Sequence, residues 1–240
     1  VKGIAENQAE IIVCSGNFHG RTTTIISFSD EAEYQKNFGP LTPGFKIAQY
    51  GDIDSLKALI TPNTAAFLIE PIQGEGGIVI PPAGYLKACE TLCREHNVLL
   101  IADEIQCGLG RTGKMLACNH EDVVPDGLIL GKALGGGIMP VSMFLAKKEV
   151  MDVFVPGTHG STFGGNPLAA AIGLEALNIL VDENLAERSM EMGNYMMGEL
   201  NKLDSAMIST IRGSGLFIGI EIDPALGSAR EICERLMTRG

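Results

Sequence analysis

The sequence predicts an α/β layered domain with a mostly parallel sheet and helices on both faces, followed by part of a smaller α+β unit. Three observations carry this expectation. Short apolar runs recur without polar alternation, as in strands covered on both faces. Helical patterns with start signals lie between several of them, and strand and helix alternate as in βαβ units. The pattern then changes after residue 165, where two long helical stretches precede two closely spaced strands.

The elements follow in chain order. Glu10–Cys14 is the first buried strand candidate. Ile53–Ile60 is a helix opening after Asp52, whose carboxylate suits an N-cap. Ala65–Ile69 is the next strand. Ala83–His96 follows Pro81-Pro82 and places Leu86, Cys89, Leu92 and Cys93 at helical spacing. Val98–Ala102, Leu128–Leu130 and Ser142–Ala146 are further strands. Asn166–Val181 is a long apolar helix capped by its asparagine, and Glu183–Leu203 is a second helix whose methionines at 190, 192, 196 and 197 are expected to pack in the core. Met207–Ile211 and Gly215–Ile222 read as strands, and Ala229–Leu236 as the last helix. We place the domain boundary near residue 185, giving a large domain at 1–184 and the start of an incomplete small domain at 185–240.

Composition narrows the function. With 240 residues the chain is long enough for a sizeable core. A content of 45% apolar and 20% charged residues excludes a disordered polymer. The formal charge of −11 disfavours nucleic acid as a partner, because phosphate needs a basic face. No apolar run approaches the roughly 18 residues that span a membrane. Six scattered cysteines point to a reduced, cytoplasmic protein, and neither they nor the four histidines have metal-ligand spacing, so no metal is expected. The chain opens at Val1 without Met and stops at Gly240 behind a helical run; the expectation is the central part of a longer chain.

Gly108–Lys114, GLGRTGK, has the spacing of a dinucleotide fingerprint and most of a phosphate loop. Met115 stands where a phosphate loop needs Ser or Thr for magnesium, and neither a directly preceding strand nor a following helix frames the glycines. A glycine-rich turn near a site is the better reading; a nucleotide-binding protein is the distant alternative, and a noncatalytic structural fragment a third.

Asp103 ends the apolar run 97–102 and Lys132 follows the run 127–131. Carboxyl ends of parallel strands line the ligand crevice of open α/β sheets. A carboxylate there needs a cation or donors; alone it reads equally as a satisfied cap or ion pair. A lysine between a buried strand and Gly135-Gly136-Gly137 is expected to be buried, which lowers an amine's pKa and makes it nucleophilic toward carbonyls. A lysine with an acid is the pairing that pyridoxal phosphate needs, one for its Schiff base and one for its ring nitrogen.

Four segments in register, Glu70–Gly77 (EPIQGEGG), Ala102–Gln106 (ADEIQ), Leu130–Gly137 (LGKALGGG) and Gly160–Pro167 (GSTFGGNP), resemble the class III pyridoxal-phosphate-dependent aminotransferases. Asn17–Thr22 (NFHGRT) and Pro140-Val141-Ser142 make the likeness greatest to the ornithine-type branch. The resemblance spans nearly the whole chain and implies a fold-type-I transferase. It implies that Lys132 holds the cofactor and shuttles a proton, that Asp103 pairs with the ring nitrogen, that Gln106 bonds the ring hydroxyl, and that Ile105 and Phe18 sandwich the ring. It implies that Ser161 and Thr162 bind the cofactor phosphate of a partner subunit, hence a homodimer. Arg21 would hold the substrate α-carboxylate, and Glu75 would act as a specificity switch with an arginine from a C-terminal region. The implied reaction converts L-ornithine and 2-oxoglutarate to L-glutamate 5-semialdehyde and L-glutamate, with acetylornithine or 4-aminobutyrate as alternative amino donors. Cys107 departs from the pattern, standing where relatives commonly have Thr.

Overall fold

The computed structural model describes residues 2–239. Its larger sheet contains β1 (Glu10–Cys14), β2 (Phe45–Ala48), β3 (Thr64–Ile69), β4 (Leu99–Asp103), β5 (Gly127–Leu130) and β6 (Met143–Ala146), in the spatial order β2-β1-β3-β4-β5-β6. Neighbours run parallel except β6, which is antiparallel to β5. The helices are α1 (Thr23–Ile26), α2 (Ala32–Gln35), α3 (Ile53–Leu59), α4 (Tyr85–Glu95), α5 (Lys148–Met151), α6 (Pro167–Asp182), α7 (Leu185–Leu200) and α8 (Ala229–Met237). Strands β7 (Ile208–Ser214) and β8 (Phe217–Ile222) form a separate antiparallel hairpin.

The expected α/β layering is present. Ile12, Phe67, Ile69 and Cys14 of β1 and β3 bury almost completely with Leu56 of α3 and Cys89 and Cys93 of α4. That apolar burial is the main stabilising contribution. Asp52 caps α3, accepting from the backbone N–H of Asp54 and Ser55, and Asn166 caps α6 through Ala169 N–H.

Four expectations are corrected. Strand β2 was not anticipated, because Lys46 interrupts a run of only four residues. Strand β6 is not covered on both faces: Met143, Phe144 and Leu145 are exposed on this antiparallel edge. The methionines of α7 do not form its core face. Met192 and Met196 are 43% and 46% exposed, and the buried face is Ala186, Ser189 and Gly193. Small residues are required there because a Cβ on Gly193 would run into the backbone of Gly215, in the β7–β8 turn. Finally, Lys132 is exposed rather than buried. It adopts φ +46° behind the buried Gly131, and this left-handed turn carries its side chain away from the strand interior.

Among the described residues no helix is long and apolar enough to cross a membrane. The Gly108–Lys114 segment is a run of turns with no flanking strand or helix start, so the context of a phosphate loop is missing.

Candidate active site

The strand order reverses direction between β1 and β3, the place where open α/β sheets form a crevice beyond their carboxyl ends. Four loops leave the sheet on that side: 15–22 after β1, 70–79 after β3, 104–116 after β4 and 131–142 after β5. Every sequence-singled residue except Ser161 and Thr162 lies on one of them or on the end of β4.

Asp103 is the last residue of β4 and is 4% exposed. Its Oδ2 lies 2.7 Å from His19 Nδ1, and its Oδ1 accepts from Ile105 N–H at 3.0 Å. The His19 side chain is 2% exposed, and its Nε2 is buried without a partner among the described residues. Asp103 pairs in register with Ile129 of β5, so Lys132 emerges three positions further along the adjacent parallel strand. Lys132 faces a cleft of about 750 Å³ that Ile105 and Gln106 also line.

Glu70 continues β3 as Asp103 ends β4. Its Oε1 accepts from Phe18 N–H at 2.8 Å and its Oε2 from Gly74 N–H at 3.1 Å, so one buried carboxylate joins the loops after β1 and β3. Burial pushes its carboxyl above the ordinary range, the two N–H donors only partly opposing this. Glu104 is fully buried and accepts from Ala117 and Cys118 N–H, both at 2.8 Å, fastening the loop after β4. Burial raises its carboxyl as well. Cys107 Sγ lies 3.4 Å from Glu104 Oε2, so the Thr-to-Cys departure keeps a donor on this carboxylate.

Gln106 Nε2 donates to Glu75 Oε1 at 3.0 Å. Gly74 is what lets this amide pass, since a Cβ there would overlap Gln106 Oε1. Arg21 pairs with no carboxylate among the described residues; its guanidinium lies 4.0 Å over the Tyr34 ring and 5.5 Å from the Phe18 ring centre. Phe18 and Tyr34 meet edge to face at 6.1 Å. Ser161 and Thr162 stand apart, exposed in the segment between α5 and α6; Ser161 Oγ accepts from Gly164 N–H.

The site thus combines a buried acid at the carboxyl end of one strand and an exposed primary amine past the end of the next, the amine lining a sizeable cleft with Ile105 and Gln106. Aminotransferase class III is the family whose pattern matches, over residues 1–240. The chain belongs to the class III aminotransferases. Among curated relatives, this class III chain is 62% identical over 240 residues to an ornithine aminotransferase of Exiguobacterium sp. (strain ATCC BAA-1283 / AT1b); the match covers all of this chain and 59% of the relative. It superimposes with a TM-score of 0.97, at 47% identity, on an ornithine aminotransferase from Toxoplasma gondii whose active site holds pyridoxal phosphate at partial occupancy, covering 100% of this chain and 57% of that one. An acetylornithine aminotransferase from Elizabethkingia anophelis matches at 48% identity and a TM-score of 0.80, covering 93% and 53%.

His19, Tyr34, Glu70 and Glu104 are site neighbours that the sequence reading did not single out. Glu70 and Glu104 carried a usable signal, each being an acid at the carboxyl end of a buried apolar run, as Asp103 is. His19 and Tyr34 carried none, because only tertiary packing brings them to Asp103 and Arg21.

Proposed function

We propose that this chain carries the catalytic core of a pyridoxal-phosphate-dependent ornithine aminotransferase. The observation that carries the proposal is the placement of buried Asp103 at the carboxyl end of one strand and of Lys132 just past the end of its parallel neighbour, where Lys132 lines a cleft of about 750 Å³. The donor set suits the cofactor: an acid for a pyridine nitrogen, an amine for an aldehyde, an apolar Ile105 against one ring face and an aromatic Phe18 for the other. When bound, the cofactor supplies the electron sink for a carbanion next to nitrogen.

The chain's own residues do the rest. Asp103, oriented by His19 and Ile105 N–H, would pair with the ring nitrogen. Lys132 would hold the cofactor through its amine and would carry a proton at its Nζ. Gln106 offers an amide to the ring hydroxyl. Arg21, stacked on Tyr34, presents its fork to the substrate α-carboxylate, while Glu75 acts as the specificity switch, pairing with an arginine when ornithine binds. The donor is L-ornithine, which yields L-glutamate 5-semialdehyde, and 2-oxoglutarate takes the amine to become L-glutamate.

We further propose a homodimer in which Ser161 and Thr162 bind the phosphate of the partner's cofactor. Their position outside the Lys132 cleft supports this, as do the exposed Val153, Phe154, Val155 and Phe163 nearby in sequence. Residues 185–240 belong to a smaller domain, with their own hairpin as support. The five buried free thiols favour a reducing, cytoplasmic setting.

The test is reduction of the cofactor-loaded protein with borohydride, followed by peptide mapping. The label is expected on Lys132 and to disappear with Lys132→Ala; a label elsewhere refutes the assignment. The likeness to an acetylornithine aminotransferase supports one rival donor. Acetylated semialdehyde product with no turnover of free ornithine would establish that rival instead.

A further inference from the structure

The segment Gln73–Val79 is closed by its own backbone. Gln73 and Val79 exchange N–H···O bonds of 3.1 and 2.9 Å, and the N–H groups of Gly77 and Ile78 both donate to Gly74 O. Inside this turn Ile78 adopts φ +55°. A β-branched side chain in the left-handed region costs on the order of 1–3 kcal/mol and persists only where its surroundings hold it.

What holds it comes from the hairpin. Arg212 of β7 donates from Nε to Gly77 O at 3.0 Å and to Ile78 O at 3.1 Å, and from Nη2 to Gly77 O at 2.8 Å. Its Nη1 bonds the carboxylate of Glu221 on the facing strand β8, which aims the fork. Gly219 completes the contact: a Cβ there would come within 3.2 Å of Gly77 O and of Ile78 Cβ, so hairpin backbone lies directly on the turn. The same turn carries Glu75, whose carboxylate rests on Gln106.

We propose that Arg212 is a specificity-positioning residue: it fixes the strained Gln73–Val79 turn against the β7–β8 hairpin and so sets the position of Glu75, the specificity switch. This rests on the ornithine reading of Glu75. A guanidinium is required because two adjacent carbonyls are met from one planar fork, which an ammonium cannot reproduce.

The test uses Arg212→Met, Arg212→Lys and Glu221→Gln in the protein with and without cofactor. Without cofactor, amide hydrogen exchange within residues 74–79 is expected to speed up roughly ten-fold in Arg212→Met, less in the other two, as charge-assisted bonds to the turn are lost. With cofactor, KM for ornithine is expected to rise roughly ten-fold while kcat and cofactor absorbance stay within about two-fold, the signature of lost ground-state binding. Unchanged exchange in a folded variant overturns the proposal, as does an equal KM rise for ornithine and 2-oxoglutarate. If Arg212→Met does not fold, Glu221→Gln decides by the same readouts. Failure of the unsubstituted protein to use ornithine would refute the ornithine reading and, with it, the specificity role of Arg212. The exchange arm would then decide only whether Arg212 fixes the turn.

Discussion

Replacing His19 by Ala isolates the support of the buried acid. The His19 and Asp103 side chains are 2% and 5% exposed and 2.7 Å apart. Removing the ring leaves Asp103 with Ile105 N–H as its remaining protein donor. Breaking a buried pair from one side costs about 3–5 kcal/mol. Because one donor remains, we expect about 3 kcal/mol, near the upper end for a hydrogen bond to a charged group. The ring also packs on Phe28 at 5.9 Å, so part of any single-variant loss is packing. A cycle of His19→Ala, Asp103→Asn and the double variant, followed by denaturant unfolding without cofactor, separates the two. The coupling should exceed about 1.5 kcal/mol. A value below about 0.5 kcal/mol would mean that solvent replaces His19 and that the ring does not secure the acid.

Two further outcomes follow from the packing and the buried acids. Gly193→Ala should lower the melting temperature by several degrees, because its Cβ meets Gly215 backbone and overpacking of this kind costs about 1–3 kcal/mol; an unchanged melt would show that α7 and the hairpin separate freely. Glu70, raised above its ordinary value of 4.5 by burial, keeps its proton in the folded protein where the unfolded chain has lost it. The stability tied to it is therefore full below that ordinary value and declines as pH rises through the folded value. Glu70→Gln should flatten the fall in unfolding free energy as pH rises above about 4.5, and an unchanged slope would refute the assignment.

Local pattern was enough for β1, whose five residues are an uninterrupted apolar run behind Glu10, and for α3, whose cap at Asp52 makes the bonds its side chain suggests. It was not enough for β2, four residues long with a lysine inside, which exists because β1 offers it a free edge. Periodicity misled in α7: methionines suggested the core face, but the approach of Gly215 requires Gly193, and the buried face is Gly193, Ser189 and Ala186. At the site, Asp103 was legible because a carboxylate behind a buried strand needs a reason. The exposure of Lys132 was not, because the left-handed turn at that residue is set by the glycines around it and not by its own type. Arg21, Glu75, Ser161 and Thr162 rested on resemblance alone, since a single charge or hydroxyl in a loop has the same local signature whether or not it binds anything.

The three buried acids at the ends of β3 and β4 explain how mobile-looking loops can present an ordered site. Asp103, Glu70 and Glu104 all sit where strand becomes loop, and each accepts from backbone N–H groups of the loops: Ile105; Phe18 and Gly74; Ala117 and Cys118. Burying a carboxylate is costly, and here donors on the loops offset that cost. A loop that moves away leaves a buried carboxyl group without its donors, so each acid penalises displacement of the backbone it holds. Phe18 and Gly74 are thereby fixed to the sheet by Glu70, and Ala117 and Cys118 by Glu104, groups that need not take part in any reaction. Asp103 combines such an anchor with the His19 ring and pairs in register with the strand that precedes Lys132. On the proposed reading the roles divide: Glu70 and Glu104 hold loop backbone in place, and Asp103 would meet the cofactor ring.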